Sequence, residues 1–232
     1  MSIHVMLDLE TMGNGSNAAI VSIGEVVFSP ETGELGADFE QIISLNSSSH
    51  YGEIDASTVS WWLTQSEEAR SIFHRDTPKS SLKDALLEFN QWLSDLGDQR
   101  DIQVWGNGSG FDNVILANAY KATRIKPSFS HWNDRDVRTI VEMGRSILGI
   151  DPKSTLERQG VHHSALDDAK FQAAYVSTIW QAIQMFTKTK SHVESMRIAI
   201  QSAEELGLVR TEDGTVITGA IETEDGLVLV KG

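Results

Sequence analysis

The stretch VMLDLETMG, residues 5–13, runs from apolar residues into Asp8 and Glu10, with Leu9 between them. In an extended strand residues two apart share a face, so both carboxylates aim at one spot while Leu9 turns to the other side. Two adjacent anions repel, and burying charge without compensation is costly. A hard divalent cation such as Mg2+ or Mn2+, which takes oxygen ligands, relieves both problems. Taken alone, the pair is more simply a solvated strand end.

Working outward, residues 3–7 read as a strand, residues 19–28 as a second rich in Ile and Val, and a third falls near 38–45. Gly- and Asn-rich turns separate them, so an antiparallel meander is expected. The period then changes. Leu82, Leu86, Phe89, Leu93 and Leu96 fall at spacings of four and three, one face of a helix begun by Ser80 or Ser81 and stopped at Gly97. A short buried strand at 102–105 precedes helices expected near 112–123, 134–147 and 164–187. Strands that first meander and then alternate with helices predict a mixed sheet, antiparallel and parallel, flanked by helices.

The chain of 232 residues is 40% hydrophobic, enough for a substantial core. No apolar run is long enough to span a bilayer, no secretory leader pattern stands at the start, and cysteine is absent. Disulfides and thiolate metal sites are thereby excluded, and a cytoplasmic location is expected. The net charge of −14 argues against a non-specific nucleic-acid coat, because phosphate binding rests on Lys and Arg. It does not exclude an enzyme that meets phosphates through cations held by carboxylates.

Residues 1–187 read as one domain and 188–232 as an appendage, a helix followed by a small β-meander. T-E-D-G occurs at 211–214 and again at 223–226, each Asp-Gly lying among β-branched residues as in a hairpin. With 8 acidic and 3 basic residues over 191–232, the appendage suits assembly or partner contact rather than nucleic-acid binding.

Two further stretches change the reading of Asp8 and Glu10. In IQVWGNGSGFDNVIL, Asp112 follows a strand and a Gly-rich turn and precedes an apolar helical run. It reads as a helix N-cap or as a third site carboxylate. In HHSALDDAKFQAAY, His163 precedes a helix and Asp168 lies five residues on, a poor interior choice unless exposed or liganded. Asp8-Leu9-Glu10-Thr11, Phe111-Asp112 and the run from His163 to Ala169 together resemble the three motifs of the DEDDh 3′–5′ exonucleases, over about residues 3–186. Small stand-alone members of the prophage type are the most similar subgroup.

That resemblance implies a ribonuclease-H-like fold and a two-metal hydrolysis of phosphodiesters. Asp8, Glu10 and Asp168 would bind one Mg2+, and Asp8 would bridge to a second supported by Asp112, with Mn2+ able to substitute. His163 would take the proton from the attacking water, since a histidine with an ordinary pKa near 6.5 suits a base at neutral pH. The products would be nucleoside 5′-monophosphates released from a single-stranded or 3′-overhang end, of RNA or DNA. The resemblance also implies a homodimer as one assembly for the tail to mediate. His162 with Asp167 has the same spacing as His163 with Asp168. Only the second places Ala165 and Ala169 as the motif requires, so Asp167 is expected to face solvent. The family's Asn four residues before the middle Asp is here Gly108, so Asn107 is not carried over.

For substrate, Thr11 is implied by analogy, and Met12 is placed to wedge near the terminal base. Trp61 and Trp62 are stacking candidates, of which one is expected in the core because neighbours cannot share a helix face. Arg135 and Arg138 are candidate phosphate contacts or surface ion pairs. Two other classes remain to be told apart: a non-catalytic binding module of the same fold, and a metal-independent hydrolase with paired carboxylates, which would work in EDTA. No Walker loop or G-x-S-x-G elbow is present.

Overall fold

The computed structural model describes residues 2–205, 217–223 and 226–231. The chain divides into two compact units, Met1–Gln181 and Ala182–Gly232. The first opens with β1 (Ile3–Thr11), β2 (Ile20–Phe28) and β3 (Leu35–Ile42), followed by the short helices α1 (Leu45–Ser48), α2 (Ala56–Trp62) and α3 (Glu67–Arg70). Then come α4 (Leu82–Leu96), β4 (Ile102–Gly106), α5 (Asp112–Thr123), β5 (Asp134–Asp136), α6 (Val137–Met143) and α7 (Pro152–Thr155). The division between units falls within α8 (Ala165–Glu205), and β6 (Ile217–Thr223) and β7 (Gly226–Lys231) form an antiparallel pair in the second unit. Among the described residues no helix is long and apolar enough to cross a membrane.

The five-stranded sheet has the order β3-β2-β1-β4-β5. The three meander strands pair antiparallel, and β4 and β5 add in parallel beside β1. This is the mixed sheet the sequence predicts. Alternation along β1 divides its side chains between two layers. Val5, Leu7 and Leu9 join the buried cluster with Leu82, Leu86, Phe89 and Leu93 of α4 and Ile115 and Leu116 of α5. The opposite face, which carries Asp8, receives α8. Ala165, Ala169 and Ala173 are fully buried there, so the helix lies close to the strands.

Gly24 makes that approach possible. It pairs with Asp8 across the β1–β2 ladder, and a Cβ at this position would lie 2.2 Å from the backbone of Ala165 and Leu166. Any larger residue would push away the first turn of α8.

Three elements differ from the sequence reading. Residues 134–136 form a strand before the helix expected to start there. Asp-Arg-Asp has no apolar pattern and is strand only because β4 offers a parallel edge. The helices expected at 164–187 and from about 191 are one continuous α8, since no Gly or Pro interrupts 182–205. Of the β-meander expected in the tail two strands are described; the stretch with the T-E-D-G at 211–214 lies outside the described residues.

Gly24→Ala is expected to lower stability by about 1–3 kcal/mol through overpacking and to weaken Mn2+ binding in the same protein, because α8 carries Asp168. Urea denaturation and metal titration of one sample check both.

Candidate active site

Four carboxylates and a histidine converge from three separate segments. β1 supplies Asp8 and Glu10, which point to the α8 face; Glu10 is 7% exposed. The parallel pairing of β1 with β4 brings the loop after β4 beside the end of β1, and α5 starts there with Asp112, 3% exposed. The Leu9 backbone N–H donates to the Asp112 carboxylate at 3.3 Å, tying the second segment to the first. Gly106 permits the close turn: a Cβ there would meet the Asn113 side chain at 2.1 Å. Asp112 is thus the first residue of α5, with Phe111 at the N-cap.

α8 delivers the third segment. Asp168 lies in its first turn, where the unpaired N–H groups and the helix dipole favour an anion. Its carboxylate accepts the His163 backbone N–H at 3.2 Å. His163 has φ 63°, in the left-handed region that a non-glycine residue rarely adopts. The bend turns its ring onto Trp61, edge to face with centroids 4.8 Å apart, and toward Trp62 at 6.4 Å. Glu10, His163 and Asp168 each offer one ligand atom, all within 4.8 Å of one another. Oxygen donors plus one imidazole at this spacing fit a divalent cation.

Burial and mutual repulsion raise the carboxyl pKa values. Asp8 is raised well above its ordinary range, first by burial and then by the charges of Asp112 and Glu10. Glu10 is pushed up to about 8 by burial and by Asp112, and Asp112 to about 7, mainly by burial. Burial, with the neighbouring His162 and Arg158 charges, moves His163 down, which keeps its imidazole neutral and able to accept a proton.

The other expected residues are placed as follows. His162 is exposed and stands outside the metal-ligand group. Asp167 does not simply face solvent: its carboxylate accepts the Val161 N–H at 2.7 Å and fixes the turn at Gly160. Thr11 is buried, its hydroxyl donating to the Gly13 carbonyl at 2.7 Å. Met12, expected beside the terminal base, is instead packed in a small core with Ala19, Val21 and Trp62. Trp62, also a stacking candidate, is 3% exposed and donates to the Thr11 carbonyl at 3.0 Å, so it supports the end of β1 from inside. Trp61 is the exposed member of the pair, at 41%. Arg138 donates to the Asn107 carbonyl at 3.1 Å, and its charge draws the Asp112 pKa down. Arg135 lies along β5 beside His4, Gln103 and Trp105, away from the carboxylates.

Two site residues escape the sequence reading. Gln172 donates to Asp8 at 2.7 Å; it stands one helical turn after Asp168, a spacing that could have revealed it. Arg158 forms an ion pair with Asp168 from the loop between α7 and α8, where no periodicity marks it.

The match of residues 3–180 to the model of the Rv2179c-like 3′–5′ exoribonuclease domain decides the family. The chain belongs to that family. By that family it is a 3′–5′ exonuclease. An exodeoxyribonuclease of Enterobacteria phage T4 is 28% identical, the match covering 71% of this chain and 84% of the phage protein. The nuclease domain of 3′hExo, a DEDDh family member solved with rAMP, shares the fold with a TM-score of 0.55 at 17% identity, covering 78% of this chain and 92% of that one. The zinc-bound E. coli ExoI–ssDNA complex has a TM-score of 0.55 at 12% identity, covering 85% of this chain and 43% of the other.

The raised carboxyl pKa values set the pH dependence. An ordinary carboxylate in the unfolded chain ionises near 4–4.5, whereas Glu10 and Asp112 in the fold hold protons to about 8 and about 7. Metal-free stability is therefore expected to fall as pH rises from about 4.5 to 8. Mn2+ must displace those protons, so its affinity is expected to rise over pH 6–8.5. Melting curves and calorimetric titration across that range check both directions.

Proposed function

We propose that residues 1–187 form a two-metal 3′–5′ exonuclease that removes nucleoside 5′-monophosphates from single-stranded or 3′-overhang ends, with residues 188–232 as an appendage. The convergence of Asp8, Glu10, Asp112, Asp168 and His163 from three distant segments carries this reading. Asp8, Glu10 and Asp168 would hold one ion and Asp8 with Asp112 the other. Mg2+ is the proposed metal, with Mn2+ as substitute. When bound, the ions neutralise charge on the scissile phosphodiester and stabilise its leaving oxygen.

The remaining steps belong to the chain's own residues. The neutral His163 imidazole accepts a proton from the attacking water at a ring nitrogen, and the rings of Trp61 and Trp62 keep it turned toward the carboxylates. Gln172 holds the Asp8 carboxylate in orientation through its 2.7 Å hydrogen bond. The exposed Trp61 offers a face for the terminal base, where stacking contributes about 1–3 kcal/mol per base without reading sequence. Arg138, beside the Asp112 loop, supplies a cation for the incoming phosphates. Both RNA and DNA are proposed as substrates, since the family is that of an exoribonuclease domain and the phage relative is an exodeoxyribonuclease.

The test uses 5′-labelled single-stranded RNA, the matching DNA, and each as a 3′-overhang duplex, with Mg2+, Mn2+ or EDTA. A ladder shortening from the 3′ end is expected with metal and not with EDTA. Asp8→Ala should abolish it, and His163→Ala should slow it by about 10²–10⁴-fold. Cleavage that persists in EDTA would defeat the metal mechanism. Intact substrate with retained binding would assign the fold to a non-catalytic binding module.

A further inference from the structure

The cluster contains one cation that the chemistry above leaves without a role. Arg158 pairs with Asp168, the carboxylate that also accepts the His163 N–H and groups with Glu10 and His163. The two side chains are largely withdrawn from solvent, 21% exposed for Arg158 and 13% for Asp168. The guanidinium also lies over the Phe171 ring, 5.1 Å from its centroid. Phe171 stands three residues after Asp168, so both contacts lie on neighbouring positions at the start of α8. Arg158 itself comes from a loop and not from the sheet, so it can leave Asp168 without disturbing the strand that carries Asp8 and Glu10.

We propose that Arg158 is an internal counter-cation that competes with the divalent metal for Asp168. The inference rests on the metal-dependent reading above. Without metal the guanidinium occupies a carboxylate oxygen that a metal would need, and it offsets the repulsion among the four acids. Metal entry requires the ion pair to open. The two cations are therefore linked, each weakening the other's hold on Asp168 by the same factor. Arg158 is a positioning residue that sets how much metal the enzyme needs.

Calorimetric titration of Mn2+ into the wild-type chain, Arg158→Gln and Arg138→Gln tests this, with melting curves taken without metal and at saturation. Arg158→Gln is expected to bind Mn2+ about fivefold or more tightly than wild type. It is expected to melt lower without metal and to regain most of the difference when saturated. Arg138→Gln removes an equal charge beside Asp112 without touching Asp168, and is expected to change the affinity less. Unchanged or weaker Mn2+ binding by a folded Arg158→Gln, or an equal gain in Arg138→Gln, would overturn the competition. Binding by wild type with no gain in Arg158→Gln defeats this inference alone. No binding by either protein defeats the metal reading with it.

Discussion

The repulsion between Asp8, Glu10, Asp112 and Asp168 is the constraint on which the site depends. Burial disfavours the charges of Asp8, Glu10 and Asp112, and the charge of Asp112 raises the cost of ionising both Asp8 and Glu10. The fold holds them together all the same. Asp8 and Glu10 share a face because a strand alternates, and Asp112 is fixed by the Leu9 N–H. Asp168 sits at a helix N-terminus that favours an anion. In the proposed mechanism a divalent cation would turn this unfavourable cluster into a set of ligands, and the same burial that raises the pKa values would then strengthen the attraction.

The surrounding architecture serves that placement. The parallel addition of β4 beside β1 puts the loop to Asp112 at the carboxylate end of the strand. Gly24 and the alanines of α8 bring the helix near enough for Asp168 and Gln172 to reach the same point. His163 is held in a left-handed turn against Trp61, so the imidazole faces the acids from the loop just before α8. Arg158 fits this picture as the protein's own cation among excess anions.

The residues that the structure brings together at the candidate site are largely legible in the sequence because their signals are local. The alternation at Asp8 and Glu10, the strand-turn-helix at Asp112 and the five-residue interval from His163 to Asp168 each stand within one short stretch. The meander and α4 were readable from period alone. What escaped depends on distant neighbours. β5 is three polar residues that become strand only beside β4. Arg158 finds Asp168 through the path of a loop. Adjacency placed one tryptophan of 61 and 62 inside, but only the packing of α2 on Met12 and Val21 decides that it is Trp62. Glu25 is an acid set in the largely apolar strand β2. It is completely buried, opposite Leu7 and Phe39, with its carboxyl pKa pushed well up by burial.

The central claim is that the carboxylate cluster is a metal cradle, and anomalous diffraction from crystals soaked in Mn2+ tests it most directly. The account predicts anomalous density among Asp8, Glu10 and Asp168, with Asp112 facing a second peak and Arg158 moved off Asp168. Manganese bound elsewhere, with Arg158 still paired to Asp168 in an unchanged cluster, would contradict it.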